Sequence, residues 1–181
     1  MFMTLTRTLT VLFITALGAA PASADAPTPG WEKSCRSQAF SCAEVSGTGI
    51  HYFTTAIIHG TTPTPTGMIQ RSTDIIELQG DVEGRVLYHP VSAFDFQAGT
   101  LVNTGDQVFS GTVLGGDPVL IYDDSFRFDV NLFSGETTGK VRLDQPLAGG
   151  QVECHLDIVG TGSTPEGDAM VDYSGVCRIR N

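Results

Sequence analysis

The stretch "CHLDIVGTGSTPEGDAMVDYSGVC" runs from Cys154 to Cys177 and reads as one strand, a polar turn and a second strand. Folded about the turn, it sets Cys154 opposite Cys177, Leu156 opposite Gly175 and Ile158 opposite Tyr173. That register puts the apolar side chains on one face. Glu153, His155, Asp157, Asp172, Ser174 and Arg178 share the other, with Glu153 facing Arg178 as a favourable cross-strand pair. A slip of one residue would mix the two faces. Pro165 cannot adopt the positive φ of a two-residue type I′ loop, so a four-residue loop over Thr164–Gly167 is expected, with Pro165 and Glu166 at its centre. Directly opposed cysteines on antiparallel strands lie within disulfide reach. Cys154–Cys177 is therefore the expected bridge, and Cys35–Cys42 the second by elimination.

The same alternation continues upstream. In "SFRFDVNLF" Phe126, Phe128, Val130 and Leu132 point one way and Ser125, Arg127, Asp129 and Asn131 the other. "ETTGKVRL" answers it across a short "SGET" turn, which makes a hairpin. "GIHYFTTAIIH" (49–59) is strand-like, "DIIELQGDVEGRVLYHP" (74–90) breaks at Gly80 and stops at Pro90, and "TLVNTGDQVFSGTVLGG" (100–116) turns at "NTGD". "PVLIYDD" (118–124) is a buried run, and "TTPTPTG" (61–67) is an ordered surface loop whose prolines exclude a central strand. Only "WEKSCRSQAFSCAEV" (31–45) has near-helical spacing. A helix would hold its two cysteines roughly 10 Å apart at about 1.5 Å per residue, too far for a disulfide.

About eight to ten strands with turn signals every 8–12 residues or so describe an all-β domain: a single antiparallel barrel of about eight strands, or else a β-sandwich. Closure favours the barrel, because it removes exposed sheet edges. Residues 1–24 carry Arg7, an apolar run and Ala22-Ser23-Ala24, the pattern of a cleaved signal peptide. Residues 25–46 then form a disulfide-bearing segment and 47–181 the barrel. An export signal and paired cysteines together predict a secreted or periplasmic protein without membrane insertion.

Loss of Arg7 with the signal leaves nine basic residues against twenty acidic ones, a charge of −11 that disfavours nucleic acid as a partner. His51, His59, His89 and His155 are scattered and read as surface or core histidines; no zinc spacing occurs, and no metal or cofactor is expected. Asp123-Asp124 lacks the rest of a calcium loop and reads as a turn. There is no nucleophile elbow, and neither Gly47-Thr48-Gly49 nor Gly160-Thr161-Gly162 opens a helix that could cradle phosphate. No catalytic residue is assigned.

The pattern "VGTG…GDAMVDYSG" (residues 159–175) resembles a motif of allene oxide cyclase-like and dirigent-like β-barrel proteins, and "GDVEG" and "FSGTV" fit their style of strand. It departs from the dirigent pattern where Gly160-Thr161-Gly162 runs on into Ser163-Thr164-Pro165. What the resemblance implies is an eight-stranded barrel and no particular catalytic residue.

A barrel of about eight strands is either filled by its own side chains or holds one small ligand. Tyr173, Phe126, Phe128, Ile158 and Leu156 are the residues expected to face that interior. A packed core is the commoner fate of such faces. The function favoured on these grounds is a non-enzymatic exported barrel binding a small apolar or amphipathic molecule. The alternatives are a cyclase- or isomerase-type enzyme, which would need Tyr173 or Tyr88 in a shaped pocket, and an acidic-surface interaction protein.

Overall fold

A computed structural model describes residues 39–180. The expected signal peptide and Cys35 lie outside the described residues.

Eleven strands occupy the described chain: β1 (Phe40–His51), β2 (Ile57–Pro63), β3 (Gly67–Gly80), β4 (Val82–Asp95), β5 (Thr100–Val113), β6 (Val119–Asp123), β7 (Arg127–Asn131), β8 (Thr137–Leu143), β9 (Gln145–Ala148), β10 (Val152–Ser163) and β11 (Ala169–Arg180). All their pairings are antiparallel. Following partners from β1 through β11, β10, β8, β7, β5, β4 and β3 returns to β1, a closed barrel of eight strands. β6 and β9 continue β7 and β8 along the wall, and β2 lies beside the first half of β3. The barrel's first strand begins at Phe40, ahead of the boundary expected at residue 47.

The opening hairpin has the register its alternation demands, with Cys154↔Cys177, Leu156↔Gly175 and Ile158↔Tyr173 as partners. The Cys154–Cys177 disulfide joins the paired strands, and Arg178 meets Glu153 on the outer face. Cys42 is also disulfide-bonded. The turn differs by one residue. Thr164–Gly167 is closed by the Gly167 N–H donating to the Thr164 carbonyl, but Ser163 pairs with Ala169, and a bulge between Gly160 and Gly162 absorbs the extra residue. The hairpin of β7 and β8 also forms as expected, with Phe128 opposite Gly139.

Three expected boundaries are corrected. "NTGD" is no turn: β5 runs unbroken through it, because this is where its partner changes from β7 (Thr104↔Arg127) to β6 (Gln107↔Asp123). The switch of partner falls at Gly105, whose φ of +149° suits glycine and where a Cβ would strike the His89 carbonyl. Pro90 does not stop a strand but sits within β4 opposite Gly105. The β3–β4 ladder lapses between the Arg71↔Val91 and Asp74↔Tyr88 pairs, where a residue without an N–H is tolerated. The loop expected over 61–67 is shorter, since Thr61–Pro63 belong to β2, an edge strand that can accept proline.

The stretch 49–59 is interrupted by a 3-10 turn at Phe53–Thr55. Asp168, buried in the β10–β11 turn, fastens it by accepting hydrogen bonds from the Thr54 N–H (3.0 Å) and Thr54 Oγ1 (2.6 Å).

Candidate functional site: a blind apolar cavity

The barrel is not filled along its whole length. Near the end where β3 meets β4 its interior is packed, with Val82, Phe109 and Ile121 fully buried. Beyond them lies a cavity of about 420 Å³, within the range of small-molecule sites, about 300–1,000 Å³. Inward-facing residues at alternate positions line it: Ile76 and Leu78 from β3, Val86 and Tyr88 from β4, Phe128 and Val130 from β7, Val141 and Leu143 from β8, Leu156 and Ile158 from β10. The far end is a mouth. Phe53, Ile58 and Leu132 line the cavity yet are 47, 50 and 37% exposed, so its wall reaches solvent there.

Part-way down this apolar shaft sits a small polar belt. His51 closes β1, and its Nε2 lies 2.9 Å from Asp74 Oδ2 on β3. Asp74 is only 5% exposed, and its second oxygen, Oδ1, is buried with no hydrogen-bond partner. Tyr88, paired with Asp74 across β3 and β4, packs edge-on against His51 at 5.2 Å between ring centroids. Burial, reinforced by the Asp74 charge, holds the Tyr88 phenol well above its ordinary pKa, while a hydrogen bond with Asn103 works the other way. Tyr88 therefore stays protonated, with Asp74 and Asn103 near its hydroxyl. Asn103 Oδ1 is also buried and unpartnered. Among the described residues lining the cavity there is no lysine or arginine, and Asp74 is the only acid.

Of the five residues expected to face the interior, Phe128, Ile158 and Leu156 line the cavity. Phe126 is buried behind it, 4.6 Å from the Tyr88 ring. Tyr173 faces inward but belongs to the packed floor. Its hydroxyl accepts the Val82 N–H at 2.7 Å and has the Val82 and Gln79 carbonyls at 3.0 and 3.3 Å. Its ring crosses Gly47, where a Cβ would collide with the ring and with the Gln79 carbonyl.

The remaining polar candidates have structural partners. Asp123, fully buried, accepts from Gln107 Nε2, the Ser125 N–H and the Arg142 N–H, which accounts for its carboxylate without a metal. Among the described residues, no three histidine, cysteine or acidic side chains converge as a metal site. His89 pairs with Asp106 and His59 with Thr73 away from the cavity. Burial, aided by Arg142, lowers the pKa of His155 on the outer face of β10.

Sequence reasoning reads His51 as an ordinary surface or core histidine and singles out neither Asp74 nor Asn103. The available signal was parity: Asp74 shares the inward face of Ile76 and Leu78, an acid where a hydrophobe is expected.

No family model matches this chain, and neither a curated protein nor a solved structure matches it.

Proposed function

We propose that this is an exported binding protein that holds a small apolar or amphipathic molecule inside its barrel. The observation that carries the reading is the blind cavity of about 420 Å³, walled mostly by apolar side chains and reaching solvent at one end. Export is supported by the signal-like residues 1–24 and by the Cys154–Cys177 disulfide. The absence of a membrane-spanning helix among the described residues is compatible with it. The resemblance of residues 159–175 to allene oxide cyclase-like and dirigent-like barrels lends the reading a barrel type and no catalytic residue.

Fluorescence titration with N-phenyl-1-naphthylamine, checked by native mass spectrometry, tests the binding. Saturable one-to-one binding is expected, and its loss in Ala169→Trp, which puts an indole into the cavity wall near the mouth. Absence of saturable binding by the wild type would refute the proposal, as would equal binding by the variant. Export is tested by the mass of the protein recovered outside the cytoplasm, expected to begin at Asp25.

A second reading is favoured by one observation, the His51–Asp74 pair against Tyr88 inside the cavity. A base, a carboxylate and a protonated phenol in a shaped apolar pocket suit an isomerase or cyclase that orients its substrate. Under that reading His51→Gln abolishes turnover while leaving probe affinity intact.

A further inference from the structure

Resting on the proposed binding role, we infer that the cavity selects amphiphiles whose head group donates hydrogen bonds, an amine or alcohol, over those ending in a carboxylate. Asp74 Oδ1 and Asn103 Oδ1 are buried acceptors without partners, on side chains that line the cavity. Buried polar groups are nearly always paired, and an unpaired acceptor in a low-dielectric interior is costly. Asp74 has committed Oδ2 to His51, and its side chain lines the cavity with Oδ1 buried and unpartnered just behind the wall. The single O–H of Tyr88 beside them cannot serve both acceptors, so a molecule entering the shaft with N–H or O–H groups gains by pairing as the belt side chains turn toward it.

The electrostatics point the same way. A carboxylate ligand brings acceptors alone and a negative charge toward Asp74; the described wall has no lysine or arginine to receive it, and its one basic side chain, His51, is already engaged by Asp74. An ammonium brings three donors and the complementary charge, and a hydroxyl one donor without charge. Beneath the belt, Ile76, Leu78 and Val86 follow on the same strand faces toward the closed end, and offer the hydrocarbon part an apolar floor. The head group thus pairs part-way down and the tail fills the floor.

The test is a matched series displacing N-phenyl-1-naphthylamine below micellar concentrations: decylamine, decanol, 1-methoxynonane and decanoate. Decanol against 1-methoxynonane compares a donor with an acceptor-only isostere at zero charge, which removes the general attraction of an acidic protein for cations. Decylamine and decanol are expected to bind about tenfold or more tightly than decanoate and 1-methoxynonane, the effect of pairing one buried acceptor. In Asp74→Asn the advantage of decylamine over decanoate should collapse, and in Asn103→Leu the advantage of decanol over its ether should shrink. Equal affinity across the series, with saturable probe binding intact, would overturn the head-group inference and leave the binding role standing. Failure of the probe and all four compounds to bind would instead refute the binding role.

Discussion

Tyr173→Phe removes a single oxygen from the floor of the barrel. That oxygen accepts the Val82 N–H at 2.7 Å and has the Val82 carbonyl at 3.0 Å. Val82 has no exposed surface, so water cannot replace the lost partner. A buried donor left unpaired costs about 1–3 kcal/mol, and here a carbonyl loses its donor as well. A destabilisation of about 2 kcal/mol is expected, equivalent to a fall in Tm of roughly 4–8 °C for a domain of this size. Urea unfolding of the oxidised protein should show a lower midpoint with an unchanged slope, since the phenyl ring still packs over Gly47. Probe affinity should not change, because Tyr173 lies outside the cavity wall. A loss below about 0.5 kcal/mol would refute the hydrogen-bond reasoning, that being the scatter of ordinary surface substitutions. A fall in probe affinity would place Tyr173 in the binding site.

Replacing Cys154 and Cys177 together by alanine opens a loop with a sequence separation of 23, and should cost about 3 kcal/mol of stability by chain entropy, measured by urea unfolding with the other bridge intact. Stability should also fall in alkali. The Tyr88 phenol is raised above its ordinary value of 10.0, so the folded state holds its proton more tightly than the unfolded chain does. The stabilisation is full below that value and is lost as pH rises through the folded pKa. Unfolding midpoints across alkaline pH, alongside an ultraviolet titration of phenolate, should show the decline, and Tyr88→Phe should flatten it.

How much of this was legible depended on the range of the interactions. The β10–β11 register could be read because two cysteines, an apolar face and the Glu153–Arg178 pair all select one alignment of neighbouring segments. The turn at "NTGD" was misread because local propensity was outvoted by ladders on both sides of β5, a context set by β4, β6 and β7. Pro90 was misread for the same reason, since the gap in the β3–β4 ladder that admits it appears only on assembly. The His51–Asp74 pair joins residues on strands whose adjacency follows from barrel closure, and closure leaves no mark in either segment. Whether Leu156, Ile158 and Phe128 meet packed neighbours or open space depends on the radius of the closed sheet.

The clasp between Asp168 and Thr54 separates two properties of the cavity. The Tyr52–Ala56 segment carries Phe53 into the wall at the mouth, and this clasp ties it to the neighbouring β10–β11 hairpin. Swinging Phe53–Thr55 outward would break the two hydrogen bonds to one carboxylate, while Tyr52 stays tied to β3 by its N–H to the Ile75 carbonyl (2.9 Å) and its hydroxyl to Glu77 (3.2 Å). Such local openings are far cheaper than global unfolding. Under the proposed binding role, residence time in the shaft would answer to Asp168, and equilibrium affinity to the walls and the polar belt below it. The two can change independently through substitutions at different ends of the same cavity.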